Sequence, residues 1–399
     1  MIAAVTGFTA RALRSRDALF SFFVAALCGA LLLVPTGFEE RLPEGVMHAK
    51  GRIVGVDNTD MQQFGLVRAG SQSLDILVLD GPFKGRQIEA DNTLLGKMEL
   101  DTVFQKGDRA FLNLSVEGDR IVSARAVDHY RLDIELGLFA LFSLLLVCLG
   151  GWVGLRALLS FVFTALFIWK LLLPGFLNGI NPIPIAFLSV SILTGAIVFL
   201  VGGITRRGLV AFIGALLGLT TACFLAMLFS GPFALHGAVR PFSETLLYSG
   251  FPGISLSQIF LAGIFIACSG AIMDLAMDLA ASMWELHHHN PHLTRWQLFR
   301  SGLTIARAVT GTMTTTLLLA YSGGYLTMMM LFMGRGVPLL NVLNLNYVSA
   351  EILHTLAGSF ALVATAPFTA AVAALMWGAP AVQPAPHPAE TASLPVENP

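Results

Sequence analysis

Eight long apolar runs dominate the pattern of hydrophobic and polar positions along this chain. Each run is close to the roughly 20 residues that an α-helix needs to cross a bilayer. The pattern therefore predicts an all-α integral membrane helical bundle with about eight transmembrane helices. The runs cover residues 18–34, 134–149, 158–173, 185–201, 210–229, 256–275, 305–321 and 352–377.

Short alternating runs replace this pattern between the first and the second apolar run. Residues 51–56, 74–79 and 110–116 alternate as half-buried strands do, and turn pairs such as Asp80-Gly81 separate them. We expect a small β-barrel or sandwich of OB-like outline. The predicted divisions are residues 1–36 (N-terminus and first transmembrane helix), 37–131 (β-domain), 132–377 (polytopic membrane domain) and 378–399 (a Pro- and Ala-rich tail, expected to be disordered).

The placement of basic residues predicts the orientation in the membrane. Arg156, Arg206 and Arg207 lie in one set of loops, whereas residues 175–181 in the other set contain no Lys or Arg. Because loops rich in Lys and Arg stay in the cytoplasm, we expect those arginines, the loop 285–300 and the N-terminus to be cytoplasmic. The β-domain is then extracytoplasmic. A cleaved signal peptide is the alternative for the first run, although no A-x-A site follows it.

Residues 325–346 interrupt the series of long runs. The apolar part, 327–333, is too short to span, and two glycines, a proline and three asparagines follow it. Irregular backbone is not tolerated when exposed to lipid, so we interpret this segment as re-entrant or broken and lining a polar cavity. A ninth crossing is the alternative. If the segment re-enters, the tail is cytoplasmic.

Composition excludes several functional classes. Hydrophobic residues make up 55% of the chain and charged residues 12%, about half the usual charged fraction of a soluble domain. Residues 38–131 hold 12 of the 24 Lys and Arg and 15 of the 25 Asp and Glu. A net charge of -1 leaves no basic stripe, so no nucleic-acid partner is expected. No P-loop, H-E-x-x-H or G-x-S-x-G motif occurs, so we expect no enzyme, cofactor or metal centre.

Charged residues inside the sixth and seventh runs are the first candidates for function. Ionisable groups at membrane depth are costly and usually face a bundle interior or a water path. Asp274 and Asp278 lie one helical turn apart, and Arg307 and Thr314 share a face of the next helix. In an antiparallel hairpin Asp274 and Arg307 fall at similar depth, which predicts an ion pair. Solvation beyond the membrane is the alternative for the charges, and backbone bonding is the alternative for Thr314.

The last run carries a second candidate pair, Glu351 and His354, three residues apart on one helical face. A Glu-x-x-His motif can bind iron in helical bundles, but no other helix supplies a matching motif. We therefore expect a polar patch at the outer mouth of a cavity.

Seven short segments in the second half of this sequence carry a family resemblance. They are 270–278 (GAIMDLAMD), 290–294 (NPHLT), 298–302 (LFRSG), 311–314 (GTMT), 318–323 (LLAYSG), 351–358 (EILHTLAG) and 367–369 (PFT). These segments resemble the YibE/F family of bacterial membrane proteins. The resemblance is strong from about residue 263 to 377 and looser back to the β-domain, and it departs from the family pattern at His354, where a basic residue often stands. It implies a multipass protein of the bacterial inner membrane with a role in transport, without a settled biochemical function.

The functional hypothesis is transport or export of an unidentified solute, with ion coupling through Asp274 and Arg307. Many helices with charges inside the bundle favour it, because an anchor needs only one helix. The alternative is a scaffold or regulatory subunit whose external β-domain binds a partner protein. The expected partners are the lipid bilayer and a small solute, and self-association is open.

Overall fold

The computed structural model describes residues 16–38 and 45–379. The chain forms two compact units, one of residues 37–151 and one of the remainder. From residue 380 onward, the predicted tail lies outside the described residues. So do Arg11 and Arg14 near the N-terminus.

Six strands build the first unit. Neighbouring strands follow the order β1-β5-β6-β4-β3-β2, and a further pairing of β1 with β3 closes five of them into a barrel, with β2 extending β3 as a hairpin. This small barrel is the predicted β-domain. The strands are β1 (Val46–Asp57), β2 (Met61–Phe64), β3 (Val67–Val78), β4 (Gln87–Leu95), β5 (Arg109–Glu117) and β6 (Arg120–His129).

Alternating apolar side chains fill the barrel, as the period-two pattern requires. Ile53, Leu74, Ile76 and Leu112 are fully buried, together with Phe104 from the loop before β5. A buried amide pair crosses this core: Asn92 donates to Gln72 Oε1 at 2.9 Å, and Gln72 donates to the Phe104 carbonyl at 3.3 Å. Because an unpaired buried amide would be costly, these bonds help to define one strand register.

Twelve helices make up the rest of the described chain, counting one π-helical stretch (Ile168–Leu172) that continues α2 into α3. Seven of these elements are long and apolar enough to cross a membrane. The α-helices are α1 (Arg16–Leu33), α2 (Leu132–Phe167), α3 (Leu173–Leu177), α4 (Pro182–Gly202), α5 (Arg206–Ser230), α6 (Ser243–Tyr248), α7 (Leu256–His289), α8 (Arg295–Gly323), α9 (Leu326–Gly334), α10 (Leu339–Leu343) and α11 (Asn346–Trp377).

The difference between seven candidate spans and the predicted eight arises in α2. The second and third apolar runs both lie in the 46-residue element Leu132–Leu177, within which two helices meet at a kink. Gly151 interrupts its geometry with φ 52° and ψ -127°, a conformation open to glycine and strained for other residues. Apolar periodicity finds both segments but does not show whether a loop or a single glycine separates them.

Helix α11 packs against α5, α7 and α8, and the closest approach is to α5. Gly214 and Gly218 of α5 face Thr369 and Thr365 of α11, and a Cβ atom on either glycine would overlap a threonine Oγ1. The G-x-x-x-G spacing thus serves a contact within the chain, where missing side chains let two backbones approach.

Residues 325–346 form the predicted broken segment. Helix α9 has nine residues and α10 has five, separated by a short turn. At 1.5 Å per residue α9 is roughly 13 Å long, less than half of a hydrocarbon core of about 30 Å. Neither helix can span, so this part of the chain supplies no ninth transmembrane helix.

Candidate functional site

A cluster of polar side chains gathers around Arg240, in the loop between α5 and α6. Its guanidinium lies 2.9 Å from His354 Nδ1 and 3.4 Å from Glu351 Oε2, and it donates a short hydrogen bond to the Tyr325 hydroxyl. Glu351 and His354 lie in the first three turns of α11, and Tyr325 immediately precedes α9. Three segments distant in sequence therefore meet at one end of the helices.

The contact with Arg240 indicates which ring nitrogen of His354 carries the proton. A guanidinium has only donors, so Nδ1 must accept and the neutral ring carries its proton on Nε2. His354 is buried, and its ring stacks on Tyr321 with centroids 4.2 Å apart. The contact with Arg240 therefore needs a neutral imidazole.

Three buried polar atoms of this cluster have no hydrogen-bond partner among the described residues. They are Tyr321 Oη, Glu351 Oε2 and His354 Nε2. Glu351 Oε2 lies within ion-pair distance of Arg240, but 3.4 Å is long for a charge-assisted hydrogen bond. Most buried polar atoms in proteins make a hydrogen bond. Three in one place that do not make one indicate a site where a proton, a water molecule or a ligand binds.

A cavity of about 290 Å³ lies beside the cluster, between α8, α9 and α11. Tyr325 and Glu351 reach its wall, and the rest of the lining is largely apolar, including Leu318, Met329 and Ile352. The size suits a small molecule or several waters. Among the residues that line this cavity, Glu351 is the one with a charged side chain.

The comparisons with known proteins agree with the resemblance of the short segments. A family described as YibE/F-like protein matches residues 138–379, more than half of the chain. The chain belongs to the YibE/F-like family. No curated protein and no solved structure matches it.

The matched region of this YibE/F-like chain contains every residue of the Arg240 cluster and excludes the six barrel strands. The looser resemblance of the β-domain is therefore not part of the family match. The candidate site therefore lies within the helical region that the family model matches.

Of the predicted site residues, the structure brings together only Glu351 and His354. Thr314 is half-buried, and its hydroxyl donates to the Thr310 carbonyl of its own helix at 2.8 Å. Asp278 is exposed in the wall of a second cavity of about 310 Å³, together with Arg207, towards the opposite end of α7. These two residues lie outside the cluster.

The predicted ion pair between Asp274 and Arg307 is not formed. Both residues are exposed, and neither makes an ion pair with another described residue. Helix α7 buries the opposite face, and α8 packs through Leu298, Gly302 and Ala306 rather than through Arg307. Matching depth in a hairpin fixes the height of two residues but not the rotation of each helix about its own axis.

Sequence reasoning missed Arg240 and Tyr325. Residues 231–255 form a loop of the set that the positive-inside pattern predicts to be poor in basic residues, and Arg240 is its one Lys or Arg. A single arginine in such a loop was the available signal. Tyr325 offered none, because an aromatic residue after a transmembrane helix is ordinarily an interface anchor.

Proposed function

We propose that this chain transports or exports a small solute across the bacterial inner membrane, and that the Arg240 cluster takes up a proton during the cycle. The observation that carries the proposal is the contact of Arg240 with both Glu351 and His354 beside a cavity. Buried polar atoms of His354 and Tyr321 that have no hydrogen-bond partner among the described residues add to it.

The free-energy cost of placing ionisable groups among transmembrane helices favours transport over anchoring. Ionisable groups are expensive within transmembrane helices and persist where they serve a pathway or a relay. A protein that only anchors a domain needs one helix, whereas the described part of this chain contains seven candidate spans and a carboxylate, Glu351, that is only 13% exposed.

A proton changes which contacts Arg240 can keep. At His354 Nδ1 it replaces the accepting lone pair with a donor and makes the ring a cation, which repels the guanidinium. At Glu351 it removes the negative charge that attracts Arg240. In either case the guanidinium is released to pair with an anionic or polar group of a solute in the cavity. Coupling is thereby assigned to the cluster rather than to an Asp274–Arg307 pair.

The test is uptake into proteoliposomes made with the purified full chain. Liposomes are given a cell metabolite extract under a pH gradient of either sign, and their contents are read by mass spectrometry. Wild type and Glu285→Gln, a matched change of an exposed carboxylate on α7, should enrich the same compound. Glu351→Gln should lose most of that enrichment.

Two results contradict the proposal. If no compound is enriched over protein-free liposomes under either gradient, the chain is not a transporter of these solutes. If Glu351→Gln enriches as wild type does, transport does not use the Arg240 cluster.

A second candidate function, a scaffold that binds a partner through the barrel, rests on one observation. Leu66 in the β2–β3 turn and Met98 after β4 are strongly exposed and line one shallow pocket of about 200 Å³, and Phe64 and Leu95 nearby are also exposed. Contiguous exposed apolar side chains mark interaction sites.

A double variant separates the two functions. Leu66→Asp with Met98→Asp should abolish the cellular role of a scaffold and leave liposome uptake unchanged. A normal cellular role in that variant would remove the basis for the scaffold.

A further inference from the structure

Helix α8 is the least suited of the candidate spans to face lipid. Its most apolar window has a mean hydropathy of 1.2, against 1.8 to 2.4 for the other six, and little of that window is buried. The element Leu132–Leu177 is even less buried in its window, but its mean hydropathy of 2.3 suits a lipid contact. Only α8 combines an uncovered face with polar composition.

The uncovered face of α8 is polar along several turns. Its exposed members recur every three or four residues and include two arginines that form no ion pair with a described residue: Arg300, Thr304, Arg307, Gly311 and Thr315. Thr304 and Thr315 donate to carbonyls of their own helix, at 3.0 and 3.3 Å, so they are satisfied without a neighbour. The guanidinium of Arg307 is not satisfied in this way.

Helix α7 exposes a matching face that carries the opposite charge. Gly263, Ala267, Gly270, Asp274 and Ala281 are all exposed on it. A Cβ atom on Gly263 or Gly270 would meet nothing within 4 Å, so the space in front of this face is open. The face carries two exposed acids one helical turn apart, Asp274 and Asp278.

Asp274 and Arg307 lie at similar depth. Asp274 is roughly 22 Å from the end of α7 at His289, and Arg307 is roughly 18 Å from the start of α8 at Arg295, at 1.5 Å per residue. Lipid satisfies neither group, and within one chain the two helices present them on faces that do not meet. A partner that carries both charges would satisfy both.

We propose that a second copy of this chain covers these faces, with α7 of each subunit packed against α8 of the other and Asp274 paired with Arg307 of the partner subunit. A two-fold interface must be self-complementary, because each subunit contributes the same patch. An acid on α7 and a base on the neighbouring α8 meet that requirement with two identical ion pairs. The glycines and alanines of α7 permit the close approach that the pairs need.

Charge reversal tests the proposal on the full chain in lipid nanodiscs or liposomes. The readout is the dimer fraction, from single-molecule photobleaching over a range of protein-to-lipid ratios. Asp274→Arg and Arg307→Asp should each lower dimerisation by at least about tenfold, since like charges then face each other. Glu99→Arg, a matched change at an exposed site on the barrel unit, should leave it unchanged.

Co-expression of the two reversed chains under different tags is the decisive measurement. An Asp274→Arg subunit beside an Arg307→Asp subunit contains two opposite-charge pairs across the interface, so mixed dimers should recover to near the wild-type level. A pair within one chain cannot be rescued in this way, and neither can a folding defect. A monomeric wild type at every ratio, unchanged single variants, or no recovery in the mixture would each overturn the proposal.

Discussion

Arg240 Nη2 lies 2.9 Å from His354 Nδ1, although 114 positions separate the two residues in the chain. The contact joins a loop to the last helix, and it places a permanent cation against the accepting nitrogen of a buried ring. Because Arg240 also reaches Glu351 at 3.4 Å, one guanidinium holds two titratable groups of α11. Loss of any one partner changes the balance of the other two.

A double-mutant cycle should detect this coupling. We expect Arg240→Ala and His354→Ala together to differ from the sum of the single variants by about 0.5–3 kcal/mol in the apparent free energy of unfolding in detergent. The reason is that Arg240→Ala leaves His354 buried without its partner, whereas Arg240 is partly exposed and keeps its contact with Glu351 when His354 is removed. The control cycle pairs Arg240→Ala with Thr314→Ala, whose hydroxyl bonds its own helix, and it should be additive. An additive His354 cycle would show that the contact contributes no net free energy.

Gly218→Ala should destabilise the bundle by about 1–3 kcal/mol, seen as a lower melting temperature. The new methyl group would overlap Thr365 Oγ1 and press on Ile272, so α5 and α11 must separate. Alanine has a higher helix propensity than glycine, so the same substitution at an open position should not destabilise the protein. Gly137→Ala in α2 meets nothing within 4 Å and should melt at the same temperature or higher. Equal shifts in the two variants would argue against close packing at Gly218.

Cysteine labelling of intact cells should test the orientation. In a Cys148→Ser background, which removes the one exposed cysteine among the described residues, Asp119→Cys in the β5–β6 turn should react with a membrane-impermeant thiol reagent. His292→Cys in the α7–α8 loop should react only after lysis, because the positive-inside pattern puts that loop in the cytoplasm. The opposite labelling would reverse the whole map.

Asp128 should make the barrel less stable in acid. Burial raises the pKa of this carboxyl, but hydrogen bonds from Arg131, the His129 amide and the Thr102 hydroxyl outweigh it and lower the pKa below its ordinary value. A lowered folded-state pKa gives stability that is present at neutral pH and is lost as the pH falls below about 4 through that pKa.

Asp128→Asn should therefore lower the hydrogen-exchange protection of the β5 and β6 amides at neutral pH by less than about 1 kcal/mol, since the carboxylate is 46% exposed. The difference from wild type should shrink near pH 3, where the carboxyl is protonated in both states. Asp119→Asn in the exposed β5–β6 turn is the matched control and should differ little at either pH. A deficit that persists in acid would assign the effect to packing instead of charge.

Sequence reasoning reached the parts of the candidate site that one helix contains. Glu351 and His354 are three residues apart, and a helix puts that spacing on one face wherever it folds. Arg240 could not be joined to them, because nothing in a local pattern states which loop packs against which helix. For the same reason, the expected ion pair between Asp274 and Arg307 within one chain is wrong. The sequence pattern gives the depth of each residue along its helix but not the direction in which its side chain points.

The sequence by itself determined the apolar helices, the barrel between the first two of them, the broken segment 325–346 and membership of the family. Each depends on local periodicity or on short motifs, which follow from backbone geometry and the cost of burying polar groups. Only the tertiary structure decided that a kink at Gly151 lies between the second and third apolar runs, that Gly214 and Gly218 face threonines of α11, and that Arg240 joins Glu351 and His354. Those features depend on the rotation and packing of helices far apart in the chain, and the free energy of packing is shared among many contacts that no single segment encodes.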